Sequence, residues 1–128
     1  MPGRSRGSGR GRGRRRQRRV IRFIQPCLLV LLHRGEAHGY TLVDGLAEFG
    51  FDPDQLDSSI VYRALREMED DHLLRSEWDE DSQGPTRRVY RISEAGEAFL
   101  TDWVDDLRTT RDEIEALIQA YEKNIQDI

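Results

Sequence analysis

Hydrophobic positions along the chain form three short helical runs, two alternating runs and one long helical stripe. Pro26 is tolerated in a first helical turn, Leu28, Leu29, Leu31 and Leu32 make an almost wholly apolar helix, and Gly35 ends it. Leu42, Val43, Leu46 and Phe49 recur at spacings of three and four, which predicts a second helix from about Tyr40 to Phe49 with Gly50 as its stop. The linker of residues 51–57 carries Pro53 and three Asp. Asp57 or Ser58 can cap a third helix with Val61, Leu65 and Met68 inward and Leu73 and Leu74 beyond.

The period then changes. Leu74, Ser76 and Trp78 alternate with Arg75 and Glu77, as a strand requires, and Trp78 is expected to pack within it. Asp79–Thr86, with Gly84-Pro85, reads as a turn. In Arg87–Ile92, Tyr90 and Ile92 share one face, and Arg87, Val89 and Arg91 the other. Ser93 caps the last helix, along which Leu100, Trp103, Leu107, Thr110, Ile114, Leu117 and Tyr121 follow a 3-4 alternation widened by Val104, Ile118 and Ile125. The fold class that follows is mainly α with a small β-hairpin: a winged helix-turn-helix plus a C-terminal dimerisation helix. The expected organisation is a disordered Arg/Gly-rich tail over residues 1–19, a winged helix-turn-helix DNA-binding domain over 20–93 and a C-terminal dimerisation helix over 94–128.

Such a fold places its third helix in the major groove of DNA and its hairpin along the backbone or minor groove. Charge changes the picture in its favour. The net charge of −4 conceals a division: residues 1–19 hold nine Arg and no acid, while the rest holds 11 basic and 24 acidic side chains. Within that acidic body, the face of helix three opposite its apolar stripe carries Ser59, Tyr62, Arg63 and Arg66, and Arg87, Arg88 and Arg91 follow in the second strand. Arginine reaches phosphates and guanine edges well. Against this, Arg63 and Arg66 could pair with Glu67, Glu69 or Asp70 on their own helix, at little gain. Asp79-Glu80-Asp81 would repel DNA and are expected on the side away from it.

These residues resemble the PadR-like transcriptional regulators. The resemblance rests on His38-Gly39-Tyr40, on Val61-Tyr62-Arg63-Ala64-Leu65-Arg66 with Met68-Glu69, and on Arg88-Val89-Tyr90-Arg91-Ile92-Ser93 with Gly96. It covers about residues 24–122. It implies a homodimer, usually a repressor, on a pseudo-palindromic operator, and the single C-terminal helix is similar to the family's short subgroup. Ser58-Ser59-Ile60 stands where family members commonly have a Gly-containing turn. The residues expected to meet double-stranded DNA are Tyr40, Ser58, Ser59, Tyr62, Arg63, Arg66, Arg87, Arg88 and Arg91.

A six-turn apolar stripe exceeds what a domain of some 70 residues can cover, so a second copy is expected to bury its later part. Leu100, Trp103, Leu107, Ile114, Leu117 and Tyr121 are the expected dimerisation or effector-pocket residues. Trp103 is either core packing or one wall of a pocket for a small aromatic effector. Cys27, in an apolar helix, reads as an inert thiol, and His33, His38 and His72 lack the spacing of a metal site, so no metal or cofactor is expected. No catalytic constellation stands out, which argues against an enzyme. Basic residues before Cys27–Leu32 could suggest export, but that run is too short for a signal-peptide core or for a span of roughly 20 residues. A cytoplasmic protein without a membrane partner is expected. A competing reading, from the Arg/Gly-rich tail, is a nonspecific RNA- or nucleoid-binding protein; another is an adaptor that kept the fold and lost DNA binding.

Overall fold

Each helix buries the stripe its sequence offers. The computed structural model describes residues 23–79 and 87–126; the Arg/Gly tail of residues 1–19 and nearly all of the expected turn, including Glu80 and Asp81, lie outside them. In α1 (Ile24–Arg34), Pro26 sits in the first turn, and Ile24, Leu28, Leu29 and Leu32 are buried. Gly35 follows as the C-cap, its N–H returning to the Leu32 carbonyl.

The single helix expected over Tyr40–Phe49 is in fact two pieces. Helix α2 (Gly39–Gly45) passes into a 3-10 turn at Leu46–Phe49. The tighter turn aligns residues three apart, so Leu46 and Phe49 both meet the core. At Gly45 a Cβ would come within 3.0 Å of the Leu31 side chain, and this close approach seats α2 on α1. Gly50, with φ 95°, adopts the left-handed conformation that ends the segment.

Of the two candidate caps of α3 (Ser58–Asp70), Asp57 serves: its carboxylate accepts the Ser59 N–H at 2.9 Å. The helix buries Val61, Ala64, Leu65 and Met68, the spacing of one helical face. His72 makes the turn that follows, with φ 63°, and leads into β2 (Leu74–Asp79), which pairs antiparallel with β3 (Arg87–Ile92). A third strand, β1 (Ala37–His38), adds to β3, extending the expected two-stranded hairpin into a three-stranded sheet of order β1-β3-β2. Two residues are too few to show alternation in sequence.

Ser93 caps α4 (Glu94–Gln126). Its hydroxyl accepts the Gly96 N–H at 3.0 Å and donates to the His72 carbonyl at 2.7 Å, tying the helix start to the sheet. Any Cβ at Gly96 would overlap the Leu73 carbonyl oxygen, 2.0 Å away. Leu100 is buried, and Trp103, Val104 and Leu107 are half-buried; from Arg108 to Ile125 every residue is exposed. At 33 residues the helix is about 50 Å long, so its second half stands clear of the domain. Among the described residues no helix is long and apolar enough to cross a membrane.

Candidate nucleic-acid interface

Opposite its buried stripe, α3 exposes Ser58, Ser59, Tyr62, Arg63 and Arg66. Among the described residues neither arginine closes an ion pair with a carboxylate. Two of the acids on the same helix have other partners, while Asp70 borders the same niche as Arg66 without closing an ion pair among the described residues. Glu67 accepts from Gln25, and Glu69 accepts from Ser76 at 2.5 Å. The capping carboxyl of Asp57 is held below its ordinary range, first by the Ser59 N–H, then by the Ser59 hydroxyl and more weakly by the Arg63 charge.

The sheet has two unlike faces because side chains alternate along a strand. Toward α3 point Leu74, Ser76 and Trp78 of β2, directly paired with Ile92, Tyr90 and Arg88 of β3. The Leu74 and Tyr90 end is buried in the core, and burial raises the Tyr90 phenol above its usual value. Further out, the Arg88 guanidinium lies over the Trp78 ring, 4.6 Å from its centroid, and donates from Nη1 to Ser76 Oγ at 2.7 Å. With Tyr62, Arg66 and Tyr90, Arg88 lines a niche between helix and sheet.

This niche adjoins a groove bounded by Tyr40, Tyr62, Trp78, Arg87 and Arg88. Arg87 reaches the Tyr40 ring, 5.0 Å from its centroid, and Tyr40 stacks on His38 at 5.4 Å. The ring of Tyr62 rests on Gly39, where a Cβ would meet it at 2.5 Å. A small residue between His38 and Tyr40 therefore lets the two tyrosines share one surface. Tyr40 is 48% exposed, Tyr62 40% and Trp78 55%.

The opposite face of the sheet is where Arg91 lies, apart from Arg66 and Arg88. It pairs with Glu36 at 2.8 Å and Glu77 at 3.2 Å. By alternation Arg87 starts from this same face, but at the outer end of β3 its guanidinium turns to the Tyr40 ring, whereas Arg91 lies between Glu36 and Glu77. Asp79 lies on this outer face and meets His38 Nε2 at 2.9 Å. Trp78 was not among the expected contact residues. Its alternation with Leu74 and Ser76 correctly places it on the helix-facing side, but β2 outruns the core there and the ring remains largely exposed instead of packed.

At the start of α4, Phe99 and Trp103 meet edge to face, with centroids 5.2 Å apart. Leu107 is half-buried one turn on, whereas Ile114, Leu117 and Tyr121 are exposed, Leu117 by 71%. The expected set therefore divides into an inner part, Leu100 to Leu107, and an outer apolar row. Cys27 is half-buried in α1, and burial pushes its thiol up to about 11. His33 meets Glu97 at 2.7 Å, joining α1 to α4.

Comparison with known proteins agrees with this architecture. The profile of the transcriptional regulator PadR-like family matches residues 28–102. The solved structure of a conserved protein of unknown function, a potential transcriptional factor, is 30% identical with a TM-score of 0.71, covering 81% of this chain and 91% of that one. A putative transcriptional regulator from Thermoplasma acidophilum is 29% identical with a TM-score of 0.67, covering 80% and 96%. Bacillus subtilis PadR, solved in complex with operator DNA, is 20% identical with a TM-score of 0.54, covering 62% of this chain and 45% of that one. No curated protein sequence matches the chain significantly. With its family profile spanning more than half of the sequence and its helices and sheet in the corresponding order, the chain belongs to the PadR-like family of transcriptional regulators.

Proposed function

We propose that the protein binds double-stranded DNA as a homodimer and represses genes at a pseudo-palindromic operator. One observation carries this reading: Arg63 and Arg66 stand on the exposed face of α3 without a carboxylate partner among the described residues, and Arg66 borders the same niche as Arg88 of the sheet. The contrast with Arg34 and Arg91 supports it, because both of those are neutralised by carboxylates, Arg34 through two 2.7 Å hydrogen bonds to Glu48. On an acidic body, cations left open on one surface suit a polyanion. The Bacillus subtilis relative solved on its operator lends the same support. In this reading α3 enters the major groove, with Ser58 and Ser59 at its tip and Tyr62, Arg63 and Arg66 along it. Tyr40, Arg87 and Arg88 hold the flanking backbone.

The exposed row Ile114, Leu117 and Tyr121 supplies the dimer contact, which sets two copies of α3 about 34 Å apart on successive grooves. The Phe99–Trp103 pair beneath it is the proposed seat of a flat aromatic effector that tunes this spacing. The test compares three proteins on a labelled duplex from the chain's own promoter. Arg63→Ala with Arg66→Ala should weaken binding strongly, while removal of residues 1–19 should weaken it less. The reverse order would favour a nonspecific RNA- or nucleoid-binding protein working through its tail.

A further inference from the structure

We infer that Trp78 is a DNA-contacting residue, and that Ser76 and Glu69 are positioning residues that hold Arg88 beside it with its charge open. The inference rests on the DNA-binding reading above and adds residues that reading does not use. Three features of the sheet carry it.

Trp78 is 55% exposed although it lies on the face of β2 that points toward α3. A tryptophan left this open on a small domain calls for a partner surface, since burying its ring is favourable. Its neighbours fix what that surface is. On one side stand the rings of Tyr62 and Tyr40, and over it lies the Arg88 guanidinium at 4.6 Å. Aromatic rings interleaved with guanidinium groups suit the sugar–phosphate backbone: the apolar ring face meets the sugar, and the cation meets the phosphate.

The second feature is how Arg88 is held. The Ser76 hydroxyl has one proton and gives it to Glu69 Oε1 at 2.5 Å, so its lone pair is what accepts from Arg88 Nη1 at 2.7 Å. A neutral hydroxyl therefore stands between the carboxylate and the guanidinium. Arg88 is oriented by Glu69 without being neutralised by it. The third feature is the control on the other face of the same sheet, where Arg91 meets Glu36 and Glu77 directly and its charge is spent. Two arginines three residues apart on one strand are thus treated in opposite ways, and the open one is beside the exposed ring.

The occupant is duplex DNA at the backbone flanking the groove that takes α3. The experiment follows tryptophan emission while promoter duplex is titrated into the full-length protein, with binding measured in parallel by mobility shift. Only two tryptophans are present, Trp78 and Trp103. Duplex should quench the emission, and Trp78→Phe, which keeps Trp103, should lose the quenching while still binding. Trp78→Ala should weaken binding about 3–10-fold. Ser76→Ala should weaken it by a similar factor, because Arg88 can then close directly on Glu69. Adding Glu69→Gln to Ser76→Ala should restore most of the loss, which a merely structural role for Ser76 would not explain.

Duplex binding with quenching unchanged in Trp78→Phe would overturn the Trp78 assignment and leave the functional reading standing. Failure of Glu69→Gln to rescue Ser76→Ala would overturn the positioning role. Absence of any duplex binding by the unaltered protein would overturn both the functional reading and this inference. Quenching by single-stranded oligonucleotide alone would overturn the choice of duplex as occupant.

Discussion

At the scale of single residues, the chain shows where one atom decides a local structure. Gly96 is in the third position of α4 because the Leu73 carbonyl occupies the space a Cβ would need. Gly96→Ala must push the helix start away from the sheet and break the Ser93 cap with it, so a loss of ~2 kcal/mol or more is expected in denaturant unfolding. A loss under ~0.5 kcal/mol would contradict the packing described. The Asp57 cap has a signature in pH. Its carboxyl titrates lower folded than unfolded, so its contribution is present above the ordinary value near 3.8 and fades as pH falls through the depressed folded-state value. The thermal midpoint of Asp57→Ala should therefore lie below that of the unaltered chain at neutral pH, with the gap closing in acid. A gap independent of pH would remove the charged cap from the account.

At the scale of elements, much was legible because each pattern had room to repeat. The three apolar stripes and the long α4 stripe identify their helices, and Val61, Leu65 and Met68 face inward as their spacing requires. What the pattern could not carry were features set by neighbours in space. Strand β1 has two residues, and it exists because Ala37 and His38 find a free edge on β3. The Leu46–Phe49 segment tightens into a 3-10 turn directly after Gly45, where α2 approaches α1. Alternation in the sequence already sets Arg88 and Arg91 on opposite faces of the strand, but it does not show which of them meets an acid. Only the fold brings Glu36 and Glu77 to Arg91 and leaves Arg88 without a direct carboxylate partner among the described residues. Arg88→Ala should thus weaken DNA binding about tenfold, whereas Arg91→Ala should change it less than about twofold. Equal effects in a binding titration would contradict the division of the sheet into two faces.

For the whole molecule, the main feature is the half of α4 from Arg108 to Ile125 that no other described element covers. Ile114, Leu117, Ile118, Tyr121 and Ile125 stay exposed along the 33-residue α4. Leu117→Glu should yield a monomer by sedimentation while the far-ultraviolet dichroism of the domain persists. A dimer unchanged by that substitution would place the contact elsewhere. The sequence showed this stripe plainly, but a single chain cannot show what covers it. The same is true of the groove of Tyr40, Tyr62 and Trp78, whose residues lie in three different elements and converge only in the fold.

All three scales meet in one claim, that open arginines on α3 and the sheet let an acidic protein read DNA sequence. Its most direct test is the ratio of affinities for the chain's own promoter duplex and a shuffled duplex of the same composition, measured over a range of salt. The account predicts preference for the promoter by a factor on the order of 10³ or more, with both affinities falling as salt rises. Equal affinity for the two duplexes at every salt concentration would contradict it.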